Sequence, residues 1–207
     1  MLTSIQKDVL TEILNIQIGA AANILSEMVD QKVILSVPEL ELVTGSTLEL
    51  DGVKYQQIAD MTDAIATTIS FEGEFNGTSA IVIPQDKASS LVNVCLGGDP
   101  DQDIDVLSHE YADVIKEISN IILNSLLGEL GNIMDVKLTY TSLQVGSSIE
   151  LLDARDTLPQ DPKILVLYTS FFLTNSQVRG VVLIALSPAS YDMLVDRIDR
   201  MLSDVNV

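Results

Sequence analysis

The sequence predicts an α+β fold: an internally duplicated, pseudo-twofold domain with an antiparallel sheet, two long motif-bearing helices packed on it, and shorter helices beside them. Three observations carry this. The helical stretch Asp8-Val9-Leu10-Thr11-Glu12-Ile13-Leu14-Asn15-Ile16 returns 105 residues later as Asp113-Val114-Ile115-Lys116-Glu117-Ile118-Ser119-Asn120-Ile121. Aligned without a gap, residues 2–30 and 107–135 share nine identities in 29 positions, a density expected of an internal repeat. After each copy the same succession follows, a strand, a hairpin of two strands and a helix. Residues 1–207 are therefore expected to form a single domain made of a first repeat, 1–103, and a second, 104–207.

Each element has a local reason. Thr3 or Ser4 can cap a helix running to about Asp30, because a side-chain oxygen there accepts from orphan N–H groups of the first turn. Val9, Ile13, Ile16, Ala20 and Ile24 share one helical face, expected to point at the core. Lys32 to Val37 is rich in β-branched residues and reads as a strand ending at Pro38. Asp51-Gly52, between Leu48/Leu50 and Val53/Tyr55, signals a hairpin. Ala64 to Phe75 alternates as a strand, Asn76-Gly77 is a hairpin turn, and Ser79 to Ile83 is the return strand. Asn76-Gly77-Thr78 also matches a glycosylation sequon, but without a secretory signal the turn explains it better. Gln85 to Leu96 is a helix stopped by Gly97-Gly98-Asp99-Pro100, and an acidic linker follows through Asp105.

The second half repeats the order. Ser108 caps a helix to about Asp135, Val136 to Leu143 reads as a strand, and residues 144–162 read as a loop. Ile164 to Thr174 and Val178 to Leu186 are strands around an Asn175-Ser176 turn. Ser187-Pro188 opens a closing helix to about Met201, with proline in the first turn.

Composition bounds the function. Hydrophobic residues make up 47% of the 207, so a real core can be buried. Aromatics are only 4% and tryptophan is absent, so Ile, Leu, Val and Ala must build that core. The formal charge is −19, from 30 acidic and 11 basic residues. Such a surface repels phosphate backbones and anionic headgroups, which argues against nucleic-acid and membrane-surface roles and favours basic partners. Cys95 and His109 are the only residues of their kinds. They cannot form a disulfide or assemble a Cys/His metal site, so no metal is expected. No serine has a nucleophile elbow around it. The N-terminus lacks a basic segment followed by an apolar one, and apolar runs such as Val181 to Leu186 fall far below spanning length. A cytoplasmic chain without membrane insertion is expected.

The repeated motif is D-x3-E-x2-N. At ~100° per residue, Asp8, Glu12 and Asn15 form a narrow stripe beside the apolar face, and so do Asp113, Glu117 and Asn120. This is costly helix design. Like charges at i, i+4 cost a few tenths of a kcal/mol, and a mid-helix Asn costs roughly 0.6 kcal/mol relative to Ala. Gly19, next on the stripe, costs up to ~1 kcal/mol more. A solvated face tolerates acidic residues in so acidic a chain, but two copies in register argue for a task. A Glu/Asn pair lacks the oxygens to hold a hard cation, and an exposed helix edge cannot desolvate a glycosidase acid. An amide can orient a water for in-line attack on a phosphoryl group. A carboxylate beside it can grip a partner's lysine. The pair suits a protein that inserts side chains into another protein's active site.

These residues resemble a known signature. Asp8, Glu12, Asn15 and Pro38 fit the pattern [DS]-x3-E-x2-N-x22-P of the CheC/CheX/FliY phosphatases of bacterial and archaeal chemotaxis. Length, duplication and the absence of an added flagellar-switch domain resemble the CheC branch. The resemblance implies dephosphorylation of the phosphorylated response regulator CheY. Glu12 and Glu117 would bond the regulator's active-site lysine, and Asn15 and Asn120 would place the attacking water. Asp8 and Asp113 would shape the partner-binding surface, and Pro38 would be structural. No cofactor of its own is implied, and Mg²⁺ would belong to the regulator. CheD, a receptor deamidase, is an implied second partner, and a non-catalytic adaptor binding CheD or CheY is the rival reading. In the second copy the proline position is Leu143. A monomer is expected, because the duplication can supply the symmetry that a single-copy protein gets by dimerising.

Overall fold

In the computed structural model, which describes residues 2–44, 64–147, 159–173 and 176–205, the chain opens with α1 (Ser4–Val29). Thr3 caps it in a reciprocal box: its hydroxyl accepts from Gln6 N–H at 3.2 Å, while Gln6 Oε1 accepts from Thr3 N–H at 2.8 Å. Then come β1 (Val33–Thr44), β2 (Ala64–Glu72), β3 (Gly77–Pro84), α2 (Gln85–Cys95) and α3 (His109–Met134). The chain closes with β4 (Thr139–Tyr140), β5 (Gln144–Ser147), β6 (Lys163–Leu173), β7 (Ser176–Leu186) and α4 (Pro188–Val205).

The described strands form one antiparallel sheet in the order β1-β6-β7-β3-β2-β4, with β5 also on β2. The order is symmetric about the β7–β3 pair. The strand after α1 joins the second hairpin, and the strands after α3 join the first. This interleaving is the topology that a pseudo-twofold repeat would give. It makes each half depend on the other for an edge of its sheet.

The helices pack on one sheet face. Leu10, Leu14, Ile18 and Leu25 of α1 share a core with Ile118, Ile122, Leu126 and Leu130 of α3 and with Leu165, Leu167, Val182 and Ile184 of the sheet. Neighbouring strand residues point the other way. Ile164, Val166, Val181 and Ala185 form a second cluster, and Ala64, Ala66 and Val82 a third. Central strands buried on both faces explain the nearly continuous apolar runs.

The α1 face differs from expectation. The buried stripe is Gln6, Leu10, Leu14, Ile18, Ala21, Ala22 and Leu25. Of the expected face, Val9 and Ile13 are half-buried, Ala20 is exposed, and Ile16 and Ile24 are 60% and 50% exposed. Apolar residues cover two adjoining faces of α1, so periodicity alone does not choose between them. By length and composition α1 would also pass as a membrane span; here its buried stripe packs against the sheet and α3.

Other boundaries also shift. β1 continues through Pro38 to Thr44, with a register irregularity between Ser36 and Glu39. Proline is tolerated there because β1 is an edge strand in the described sheet and the ladder is already interrupted. The β2–β3 turn occupies Gly73–Asn76, with Gly73 at φ 134°, and Gly77 already pairs with Phe71. Val136 to Leu143 contains only the two-residue β4, and β5 lies in the stretch expected to be a loop. The closing helix runs four residues past Met201. The Asp51-Gly52 hairpin and Asn175 lie outside the described residues.

Candidate functional site

Both motif stripes are set by the way their helices seat. In α3 the buried positions include Ile115, Ser119, Leu123, Leu126, Leu127 and Leu130. Each lies 105 residues after a buried residue of α1: Leu10, Leu14, Ile18, Ala21, Ala22 and Leu25. Helices that bury equivalent stripes expose equivalent edges. The motif lies about 130° around the helix from the centre of the Leu10/Leu14/Ile18 stripe. Asp8, Glu12, Asp113 and Glu117 are therefore exposed, and Asn15 and Asn120 are half-buried. The structure thus presents each triad on a surface edge, while the expected apolar neighbour face of α1 turns largely outward beside it.

The helix frames are anchored at several points. Ser119, immediately before Asn120, is buried and its hydroxyl donates to Thr67 Oγ1 of β2 at 3.0 Å. α4 braces both motif helices. Gln6 Nε2 of α1 donates to Asp199 Oδ1 at 2.5 Å, and Arg197 Nε donates to the Ile133 carbonyl near the end of α3 at 2.7 Å. Ser108 stands at the N-cap position of α3, but its side chain makes no capping bond.

The two copies differ in detail. Lys116 Nζ lies 3.0 Å from Asp113 Oδ1. That hydrogen bond first, and then the lysine charge, hold the Asp113 carboxyl below its ordinary range. Asn120 Oδ1 accepts from Asn124 Nδ2 at 2.7 Å; the position equivalent to Asn124 in α1 is Gly19. In the first copy, Ile5 and Ile16 flank the stripe at 63% and 60% exposure. Their counterparts in the second copy are Glu110 and the half-buried Ile121. Pro38 sits in β1 at the register irregularity, and its counterpart Leu143 immediately precedes β5.

The i+3 spacing of Asp113 and Lys116 and the i+4 spacing of Asn120 and Asn124 are sequence signals for these two contacts. The Ser119–Thr67 pair had no such signal, because 52 residues separate its members. Chemically, each edge offers an exposed carboxylate that accepts and an amide that both donates and accepts. Among the described residues, no group of three or more His, Cys, Asp or Glu is placed to hold a metal ion.

Comparison with known proteins agrees with the motif. Residues 5–42, which contain Asp8, Glu12, Asn15 and Pro38, match the CheC-like family. The chain is 22% identical over 195 residues to the flagellar motor switch phosphatase FliY of Bacillus subtilis, covering 92% of this chain and 48% of that protein. It is 26% identical over 135 residues to the CheY-P phosphatase CheC of the same organism, covering 64% of this chain and 62% of that one. The chain thus spans about half to three-fifths of the curated relatives it matches. Among solved structures, Thermotoga maritima FliY superposes with a TM-score of 0.75 at 14% identity, covering 97% and 98% of the two chains. The Helicobacter pylori FliM middle domain superposes at 0.67 and 12% identity, covering 95% and 99%. The expected resemblance to CheC and FliY phosphatases and the mixed helix and antiparallel-sheet fold are both borne out. The same fold in FliM shows why function must be argued from the helix edges rather than from the fold.

Proposed function

We propose that this chain is a chemotaxis phosphatase that hydrolyses the aspartyl phosphate of a CheY-type response regulator, through Glu12/Asn15 and Glu117/Asn120. The observation that carries this is the doubling in register: both triads occupy the same place relative to equivalent buried stripes. A solvated face has no reason to keep two mid-helix asparagines against their helix cost. Similarity to the CheY-P phosphatase CheC of Bacillus subtilis supports the substrate class.

In this reading Glu12 or Glu117 docks on the regulator's active-site lysine as a charge-assisted hydrogen bond. Asn15 or Asn120 orients a water in line with the phosphorus. The water oxygen bonds to phosphorus as the phosphorus–aspartyl oxygen bond breaks, and both protons of the water leave with the product as dihydrogen phosphate. The regulator's carboxylate is regenerated. Mg²⁺ belongs to the regulator and screens the phosphoryl charge there. Asp8 and Asp113 shape the approach surface, and Pro38 shapes the chain beside the first helix. A cytoplasmic monomer that also binds CheD completes the reading.

The test is phosphate release from phosphorylated CheY, with and without Mg²⁺, for the parent, Asn15→Ala, Asn120→Ala and the double variant. Each single variant is expected to lose one site's share, and the double variant at least about 10²-fold. Full activity in the double variant overturns the assignment. Binding of CheY or CheD without turnover by the parent would establish the adaptor instead.

A further inference from the structure

The two motif copies are not equally furnished, and one of the differences lies beside Asn120. The Asn120 amide has a neighbour one helical turn on, Asn124, whose Nδ2 donates to Asn120 Oδ1 at 2.7 Å. Asn120 is half-buried and Asn124 exposed. In α1 the same position is Gly19.

A carboxamide has two nearly isosteric orientations that exchange its oxygen and its nitrogen. A water approaching an acyl phosphate meets different groups in the two. With Asn124 Nδ2 facing it, Asn120 presents Oδ1 along the helix and keeps the second Oδ1 lone pair and both N–H bonds for other partners. The backbone beneath is held as well, because Ser119 is tied to Thr67 of β2. The amide thus has a contact along the helix and the backbone beneath it a tie to the sheet, and preorganisation of this kind reduces what must be ordered in the transition state.

We propose that Asn124 is a positioning residue of the second site, holding the Asn120 amide in the one orientation that serves the attacking water. This rests on the phosphatase reading above. It gives Asn124 a role through Asn120 rather than through contact with the regulator.

The test uses the full chain in an Asn15→Ala background, so that only the second site turns over, with phosphorylated CheY as substrate. Asn124→Ala removes the donor and is expected to lower kcat about 2- to 10-fold, the range one hydrogen bond supports, with KM unchanged. Asn124→Asp keeps size and shape but presents only acceptors, which favours the opposite orientation, so kcat falls at least as far. Asn124→Gln keeps an amide donor on a longer arm and recovers most of the loss. Alanine is the better helix former at an exposed site, so the losses will not come from unfolding; thermal melts check this. Parent-level kcat in the Ala or the Asp variant, a loss confined to KM, no recovery by Gln, or an inactive Asn15→Ala background each overturns the proposal. Failure of the phosphatase reading shows separately, as full activity in the Asn15→Ala/Asn120→Ala variant. If that variant is inactive and the position-124 variants are unchanged, only the role of Asn124 falls.

Discussion

Asp30 and Asp135, 105 residues apart, end the two motif helices in the same left-handed conformation, at φ 50°, ψ 36° and φ 56°, ψ 39°. The residue after each donates back across the cap: Gln31 N–H to the Ser26 carbonyl at 3.2 Å, and Val136 N–H to the Gly131 carbonyl at 3.0 Å. That is the bond of a Schellman stop, whose left-handed position usually belongs to glycine. An aspartate there carries a Cβ penalty and sets a negative charge at the negative end of the helix dipole. Asp30→Gly and Asp135→Gly are each expected to stabilise the protein by about 0.5–1 kcal/mol, additively. Denaturant melts of the two single variants and the double variant check both the sign and the additivity.

Gly77 should behave in the opposite way. A Cβ at that position would press into the Ala185 carbonyl and come within 2.7 Å of Phe71 Cζ. Neither can give way. Ala185 lies in the neighbouring strand, and Phe71 is buried and stacked on Phe75 at 5.7 Å. Gly77→Ala is expected to cost about 2–3 kcal/mol, seen as an earlier denaturant midpoint with an unchanged slope.

Burial pushes the Cys95 thiol up from 9.0 to about 11. At pH 8 its thiolate fraction is then about 100-fold below that of an unperturbed thiol, and alkylation of the native protein should slow correspondingly. The linkage follows the same shift. The thiol contributes no pH dependence below about pH 9. Above that the unfolded chain ionises first, and stability falls until the native thiol ionises near pH 11. Iodoacetamide labelling of native and unfolded protein measures the contrast.

Glu12→Gln and Glu117→Gln separate docking from water placement. Both carboxylates are exposed, so stability should change by less than about 0.5 kcal/mol. Loss of a charge-assisted bond to a partner lysine should raise KM about 10-fold or more at low salt, and less at high salt. Steady-state hydrolysis of phosphorylated CheY at two ionic strengths reads this directly. A fall in kcat at unchanged KM would remove the docking role from the glutamates.

Much of the architecture was written in local pattern. Thr3 and Asp30 bound α1 because a cap and a stop are decided within a few residues. The triads were visible because identical spacing recurs with identical neighbours. Strand limits were less clear where pairing decides them. Pro38 ended a strand on local grounds, yet β6 carries β1 past it to Thr44. β5 has no strong pattern of its own and exists because β2 offers an edge.

The sequence by itself determined which residues form the two motif edges, since helical periodicity alone brings Asp8, Glu12 and Asn15, or Asp113, Glu117 and Asn120, into line. Only the tertiary structure decided which face of α1 is buried. Leu10, Leu14 and Ile18 meet α3 and the sheet, while Ile16 and Ile24 are left outside. The physical reason is that amphipathicity needs a contrast between faces, and α1 is apolar on two. When burial energy is nearly the same for either face, the shape of the partner layer chooses between them.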